Sequence, residues 1–424
     1  MTGGAGVGPG DAGAAGGGGE ERLLVVGAGP VGLAAALAIR ARGHPVTVLE
    51  AEPEDRVRPG TRAIYTHRDT LERLEGLVPG LGWRIAEAGL VWHTKRTFWR
   101  GREVFSRTYP APPPDRLPPF ISLSQQDIEG YLLEACRNEG VEIRWSTPVT
   151  SVRATPSGVT VTLEEGNEVV APYLIGADGA RSTVREAIGA SMEGGRSENP
   201  FIIVDVAEDP DDPLPRERIF HFEHPAVDGR NVLLVPFPGG WRVDLQCFEG
   251  DRAEDFADEE AASRWLARVL PERYAHRVTW LSTYRFLQVV ADTFVDEHRR
   301  VLLVGEAAHL FAPFGARGMN SGVADADRAA EAVHRALEAH GIGDGDRARA
   351  AVTSFDQVRR EAALHNRWAA GVALERMRAA TPGEKVKRRA AALLSRFSDR
   401  AGAWLDRAPY GPRGAPRAEQ VGRY

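Results

Sequence analysis

Between Leu23 and Val26 the chain carries an unbroken apolar run, and GAGPVGLAAALAI follows it. The pattern predicts a buried strand, a turn, a helix from Pro30 to Arg42 and a second strand over Pro45–Glu50. Asp127–Glu139 reads as a helix closed by Gly140, followed by a strand over Val141–Trp145. Thr150–Leu163 alternates as a hairpin with Ser157-Gly158 at its turn, and Tyr173–Ile175 is another short strand.

From Phe201 to about Tyr284 the texture changes. Phe201–Val206, Arg218–Phe222, Val232–Phe237 and Trp241–Phe248 read as strands separated by Pro, Gly and Asp clusters, with one helix, Glu259–Val269, among them. Val301–Val304 returns to the first style. Asn320–Ala339 is helical, and so is most of the chain from about Ala351 to Asp406. The Gly- and Ala-rich residues 1–20 cannot bury a core and are expected to be disordered. There are no internal repeats.

Composition narrows the function classes. With 424 residues there is room for two or three domains, and 43% hydrophobic with 26% charged is ordinary for a soluble globular protein. A net charge of −6 gives no basic footprint, so no nucleic-acid partner is expected. The stretch Leu23–Ile39 is apolar enough to mimic a membrane span, but Gly and Pro break it, and Glu20 and Glu21 precede it where a signal peptide carries positive charge. No membrane span and a cytoplasmic location are therefore expected. Cys136 and Cys247 lie far apart and outside any CxxC, and read as small core residues; no metal is expected.

Three motifs carry chemistry. GAGPVG, Gly27 to Gly32, sits at a strand–helix junction, where glycines let the backbone approach a pyrophosphate and the helix N-terminus faces its charge. Glu50 ends the next strand, at the spacing of an acid that accepts hydrogen bonds from a ribose. The bland alternative is a tight turn and a surface acid. GADGARSTVRE, Gly176 to Glu186, places Asp178 after a short strand and before a helix. VLLVGEAAHLFAPFGARGMN places Glu306 after a buried strand and follows it with a loop of small residues.

In this order, and together with PGTRAIYTHRDTLERL (Pro59–Leu74), LSQQDIEGYL (Leu123–Leu132) and SFDQVRREAA (Ser354–Ala363), these motifs resemble the FAD-dependent aromatic hydroxylases. These are the single-component, group A flavoprotein monooxygenases related to para-hydroxybenzoate hydroxylase and 3-(3-hydroxyphenyl)propionate hydroxylase. The resemblance covers Leu23 to about Asn366. It implies an α/β fold: a Rossmann-like, GR2-type FAD-binding domain, an inserted mainly β substrate domain and a helical C-terminal segment. The expected division is a tail at 1–20, a discontinuous FAD-binding domain at 21–90, 121–195 and 285–375, a β-sheet substrate domain at 91–120 and 196–284, and a C-terminal helical segment and tail at 376–424.

By the same resemblance, Gly27, Gly29, Pro30, Val31, Gly32 and Glu50 bind FAD. Arg62 reaches back to its pyrophosphate, Gln125 contacts it, and Asp178 and Gly179 serve both FAD and transient NADPH. Glu306 stands where the family usually has an Asp that bonds the ribityl chain, and Arg328 where an Asn is common. Backbone N–H groups at Gly318, Met319 and Asn320 face the flavin ring, and Pro313 lies beside it on the substrate side.

The implied activity is an NAD(P)H- and FAD-dependent monooxygenase hydroxylating a phenolic or polyketide-like aromatic with O2 through a C4a-hydroperoxyflavin. There is no second GxGxxG for a separate nicotinamide domain, which fits transient NAD(P)H binding at the FAD cleft. The alternatives are a FAD-dependent dehydrogenase or reductase of the same fold, and a non-catalytic protein that binds FAD or an aromatic ligand. The helical end segment Glu384–Asp406 either caps the FAD-binding domain or forms a homodimer contact. Two further residues are candidates for work on the substrate. His221, among aromatics in RIFHFEH, would take a phenolic proton or is a satisfied structural group. Arg242, which shares a strand face with Asp244 and Gln246, would hold a carboxylate or steer the flavin, or lies on a solvated face. Trp92, Phe98 and Trp99 either roof an aromatic pocket or fill the core, and His67 and His309 read as loop-packing residues.

Overall fold

Leu23–Val26 is buried on both faces and forms strand β1, as expected for the interior of a parallel sheet whose two faces are covered by helices. In this computed structural model, residues 22–58, 60–62, 64–196, 199–379 and 381–412 are described. The tail expected at 1–20 and the last residues, from 413, lie outside them.

In chain order, the elements that position the site are as follows. Strand β1 leads into helix α1 (Pro30–Arg40) and strand β2 (Val46–Leu49). Next come strands β3 (Thr94–Trp99) and β4 (Arg102–Thr108), helix α2 (Gln125–Asn138), and strands β5 (Glu142–Arg144) and β6 (Leu174–Gly176). The second sheet is built from β7 (Phe201–Ala207), β8 (Glu217–His224), β9 (Arg230–Phe237), β10 (Gly240–Gln246) and β11 (Val278–Tyr284), with helix α3 (Glu259–Val269) between the last two. Strand β12 (Val301–Leu303) precedes helices α4 (Arg317–Gly341), α5 (Gly345–Arg378), α6 (Pro382–Leu394) and α7 (Asp399–Arg407).

The first sheet has five strands in the order β12–β6–β1–β2–β5, all parallel. Its core joins Leu24, Val25, Val48, Ile175 and Leu302 to Leu33 and Leu37 of α1 and to Val333 and Ala336 of α4. The ends of β1, β6 and β12 lie side by side, so the three motifs after them are neighbours. That crevice beyond the strand ends is where open α/β sheets bind ligands. The apolar stretch Leu23–Ile39 is thus a strand, a turn and a helix. Among the described residues no helix is long and apolar enough to cross a membrane.

The second sheet has seven strands in the order β11–β7–β10–β9–β8–β3–β4. One face is apolar: Ile202, Val204, Val232, Leu234, Trp241, Val243 and Leu245 pack on Trp265 and Leu266 of α3. The alternation of side chains puts Phe201, Ile203, Asp205, Leu233, Arg242, Asp244 and Gln246 on the other face. At its far end this face is covered by the C-terminal helices, where Phe220 and Phe222 cluster with Met377, Ala392 and Leu405. There Asp406 pairs with buried Lys95 and accepts a bond from Thr97 at 3.2 Å. Cys136 and Cys247 are buried free thiols, and burial pushes both up to about 12.

Several boundaries differ from expectation by a residue or more, and two of the differences have a clear local cause. Helix α4 starts at Arg317 instead of Asn320, because Ala316 takes a left-handed conformation (φ +51°) and turns the chain into the helix early. The hairpin expected to turn at Ser157-Gly158 turns one residue earlier: Gly158 already belongs to the return strand, where its lack of a side chain lets Ala171 of a third strand approach.

Candidate active site

Only glycine can form the turn after β1. Gly27 has φ +101°, and a Cβ there would lie 2.5 Å from the Ala177 carbonyl oxygen; a Cβ on Gly32 would lie 1.9 Å from the Gly27 oxygen. Gly29 is the N-cap of α1, no side chain caps it, and Pro30 opens the helix. The first N–H groups of α1 are thus left to an external acceptor. Glu50 is buried and braces the turn, accepting the Ala28 N–H at 2.5 Å and the Glu52 N–H at 3.0 Å.

Sequence reasoning missed two arginines here. Arg56 donates to the Ala28 carbonyl at 2.9 Å, and its buried Nη1 has no partner among the described residues. Arg58 bonds Glu52 at 2.7 Å and Glu129 at 3.3 Å, and its Nη1 lies 3.8 Å from where a Gly29 Cβ would stand. Gln125 joins this chain through Glu129 (2.8 Å) and donates its N–H to the Thr61 carbonyl. The signal was present as Arg56, Arg58 and Arg62 closely spaced after the strand-end acid. A cradle a Cβ would fill, an uncapped helix start and a buried unpartnered guanidinium nitrogen together suit a pyrophosphate.

Asp178 does not point outward. It accepts the Ser182 hydroxyl at 2.5 Å and the Val184 N–H at 3.0 Å, capping the short helix Thr183–Ala187, and burial pushes its pKa up. Its backbone, not its carboxylate, meets Gly27. Gly179 has φ +79° with open space beside it.

Glu306 stands past the end of β12. Its side chain is exposed to solvent, with enough protein around it to desolvate the carboxylate. Burial pushes its pKa up, opposed by His309 and Arg62. The structure therefore brings Arg62 and Glu306 together. Gly305 before it (φ +60°) packs on Val31, as does Gly322 of α4, which locks the cleft to the glycine turn. The loop is held from below: Asp325, fully buried, accepts the Gly305 N–H at 3.2 Å, meets His309 Nε2 at 2.6 Å and accepts Arg359 Nε at 2.7 Å.

Pro313 is exposed, and its carbonyl accepts the Ala316 N–H at 2.9 Å. No side chain caps α4, and a Cβ on Gly318 would meet nothing within 4 Å. The N–H groups of Gly318 and Met319 are thus first-turn donors at the positive end of a helix dipole. The Asn320 side chain is a strut: Oδ1 accepts the His67 N–H and the Thr70 hydroxyl, and Nδ2 donates to the Tyr65 and Ala316 carbonyls. His67 bonds the Gly315 carbonyl at 3.1 Å, and burial lowers its pKa to about 4. Arg328 lies along α4, bonded to Glu331 at 2.7 Å.

Two expectations on the sheet are corrected. His221 faces away from the Pro313 loop. It pairs with Val232 of the α3-packed face and stacks on Phe98 (4.8 Å) with His224 at its edge (4.7 Å), and burial lowers its pKa to about 3. It cannot meet a ligand on the other face. Arg242 does face the cleft, but as a fastener rather than a carboxylate clamp: it donates to Asp205 at 3.2 Å and bonds the Thr61 hydroxyl and the Arg62 carbonyl. Asp205 also accepts the Thr61 N–H at 2.9 Å, so the pair ties the Arg62 loop, itself left-handed at Arg62 (φ +53°), to the sheet. Arg242→Ala is expected to free this loop, leave Asp205 without its ion-pair partner and weaken binding of the FAD that the sequence motifs imply roughly tenfold or more, read by fluorescence titration.

Of the aromatic residues, Trp92 is core, packed on Phe120 and Tyr65. Phe98 shares the outer face with His221. Trp99 stacks under Arg100. A different ring cluster joins the sheet to the loop: Phe201 lies 4.8 Å from Phe286 and 5.6 Å from Phe314, the neighbour of Pro313.

Comparison with known proteins follows this geometry. Residues 20–356 match the family profile described as FAD binding domain. The chain is 33% identical over 72% of its length to 6-methylpretetramide 4-monooxygenase of Streptomyces rimosus, of which it spans 54%. It is 32% identical over 74% of its length to para-nitrophenol 4-monooxygenase of Pseudomonas sp. (strain WBC-3), of which it spans 77%. The solved p-nitrophenol 4-monooxygenase PnpA of Pseudomonas putida DLL-E4 superposes with a TM-score of 0.73 at 25% identity, over 93% of this chain and 99% of that one.

Proposed function

Since the chain belongs to the FAD binding domain family, we propose that it is an NAD(P)H- and FAD-dependent monooxygenase that hydroxylates a phenolic or polyketide-like aromatic compound. One observation carries this reading. The cleft holding Glu306, the bare glycine turn and the uncapped start of α4 opens toward a sheet face that meets the Pro313 loop through aromatic rings. Relatives named as monooxygenases of p-nitrophenol and of 6-methylpretetramide support it.

In this reading Gly27, Gly29, Pro30, Val31 and Gly32, with Arg56 and Arg58, hold the pyrophosphate. Glu50 positions the turn and takes the ribose. Arg62 and Gln125 close over the cofactor, Asp178 and Gly179 shape the cleft entrance, Glu306 takes the ribityl chain, and Pro313 borders the substrate. The N–H groups of Gly318, Met319 and Asn320 favour negative charge at the ring edge they face. When bound, the flavin supplies hydride acceptance from NAD(P)H and the activation of O2. The protein's part is to orient the aromatic compound and exclude water. We assign the cofactor to 21–90, 121–195 and 285–375 and the substrate to 91–120 and 196–284, in a cytoplasmic protein that forms a homodimer.

Anaerobic stopped-flow reduction of the FAD-loaded protein by NADPH, with and without a panel of phenols, tests the reading. At least one phenol should accelerate flavin bleaching by orders of magnitude; if the protein binds FAD and none does, the hydroxylase reading fails. A second test uses Gly318→Ala. Alanine is the better helix former by up to about 1 kcal/mol, and no described residue lies within 4 Å of where its Cβ would stand. The apoprotein should be as stable as wild type or more so. FAD affinity should fall roughly tenfold, because the added methyl occupies the path of the ring.

A further inference from the structure

Asp244 stands on the cleft-facing side of the seven-stranded sheet. Its cross-strand row contains Ser282 of β11, Ile203 of β7, Leu233 of β9 and Phe220 of β8. The row on one side holds Asp205 and Arg242, where the Arg62 loop is fastened. The row on the other holds Phe201, whose ring meets Phe314 beside Pro313. Each row lies about 7 Å away along the strand. Asp244 therefore sits between the two points at which the cofactor-facing loops are fastened to the sheet, and it faces the space between them.

Asp244 is a charged side chain without a structural task. Its Oδ1 is fully covered and has no hydrogen-bond partner among the described residues. Arg242, the nearest cation, is already committed to Asp205, Thr61 and the Arg62 carbonyl. The other charged group acting on it is Asp205 on the sheet; the segment Pro313–Ala316 brings none. Buried polar atoms are left unpaired mainly where a ligand or water completes them.

We propose that Asp244 accepts the proton of the substrate's aromatic hydroxyl group. The proposal rests on the hydroxylase reading above and narrows its substrate to an aromatic compound whose free ring hydroxyl reaches this carboxylate. In the step, the substrate O–H bond breaks and an O–H bond forms on the Asp244 carboxylate. The electron pair of the broken bond stays on the aromatic oxygen. No electrons are exchanged, and the proton returns to solvent when product leaves. The oxyanion raises electron density at the ring carbons ortho and para to it, the positions an electrophilic oxygen attacks. Burial pushes the carboxyl up to about 6, against the opposing effect of Arg242 and with help from Asp205. It is thus ionised near neutral pH and a stronger base than a surface carboxylate.

The test compares the full-length, FAD-loaded wild type with Asp244→Asn and Asp244→Glu. Two probes are used: the weakly acidic phenol that stimulates wild-type NADPH oxidation most, and its nitro-substituted counterpart, compared at a pH above that at which the nitro compound ionises in solution. Asp244→Asn should lower kcat/KM for the first probe roughly a hundredfold or more and for the second less than about tenfold. The wild-type loss of activity below about pH 6 should vanish in Asp244→Asn, and Asp244→Glu should restore part of the activity.

Thermal unfolding gives an independent readout. A carboxyl raised in the folded state destabilises the protein as pH rises from its unfolded to its folded value, so Asp244→Asn should be at least as stable as wild type near neutral pH. Equal losses on both probes, no loss, or a less stable Asp244→Asn protein overturns the proposal. If no phenol stimulates wild type, the hydroxylase reading fails and takes this one with it. If wild type responds and Asp244→Asn matches it, only this proposal fails.

Discussion

Asp325→Ala is expected to destabilise the protein by roughly 3–5 kcal/mol, the range for breaking a buried ion pair by removing one partner. The carboxylate is fully buried, and three groups depend on it: Arg359, His309 and the Gly305 N–H. Removing it takes from the Arg359 guanidinium, 1% exposed, its 2.7 Å ion pair with this carboxylate. The loss should also reach the cleft, because Gly305 is the residue before Glu306. Urea unfolding near neutral pH measures the first effect and FAD titration the second. The pH dependence has a definite sign. Burial alone would raise the Asp325 pKa, but Arg359 and His309 outweigh it and hold the carboxyl below its usual value. Its contribution to stability is therefore complete above the unfolded pKa and is lost as pH falls through the folded one. Wild type should lose this contribution in acid; the alanine variant has none to lose.

Gly32→Ala should abolish flavin retention. A Cβ at Gly32 would stand 1.9 Å from the Gly27 carbonyl oxygen, a separation real Cβ atoms essentially never show, and the obstacle is backbone that cannot rotate away. The chain must move α1 away from the turn or tilt the Gly27 peptide. Either displaces the N–H groups meant for the pyrophosphate. Overpacking of this kind costs about 1–3 kcal/mol, which a domain of this size survives, so the expected product is a folded, colourless protein. Absorbance of the purified variant, followed by titration with FAD, reads the outcome directly. Gly130→Ala is the control: it adds the same methyl to helix α2, where a Cβ would meet none of the described residues within 4 Å, and should retain flavin.

Much of this was legible in the sequence, for physical reasons that differ between elements. The parallel strands showed because they are apolar on both faces: Leu23–Val26 was located to the residue, and so was the amphipathic helix Glu259–Val269. The start of α4 was misplaced because no capping residue announces it; a left-handed Ala316 does the work instead. The strand containing His221 was recognised, but the face that His221 takes was not legible. In RIFHFEH both faces are buried, Ile219 beneath α3 and Phe220 and Phe222 toward the C-terminal helices, so alternation alone could not say which face His221 shares. Pairing with Val232 decides it, and that register is a tertiary fact. Arg242, Asp244 and Gln246 were correctly grouped on one face. Their separate tasks depended on contacts with Asp205 and Thr61, distant in sequence. Asp178 was expected to serve FAD and transient NADPH; that its carboxylate also accepts the Ser182 hydroxyl and the Val184 N–H was not read from the sequence.

The central claim is that the cleft between the two sheets inserts oxygen into an aromatic ring. Its most direct test is to supply the FAD-loaded protein with NADPH, a stimulating phenol and 18O2, and to analyse the product by mass spectrometry. The account predicts one atom of 18O in each hydroxylated product molecule, formed in proportion to NADPH consumed. A product whose new oxygen comes from water, or NADPH consumption that yields only hydrogen peroxide with every phenol tried, would contradict it.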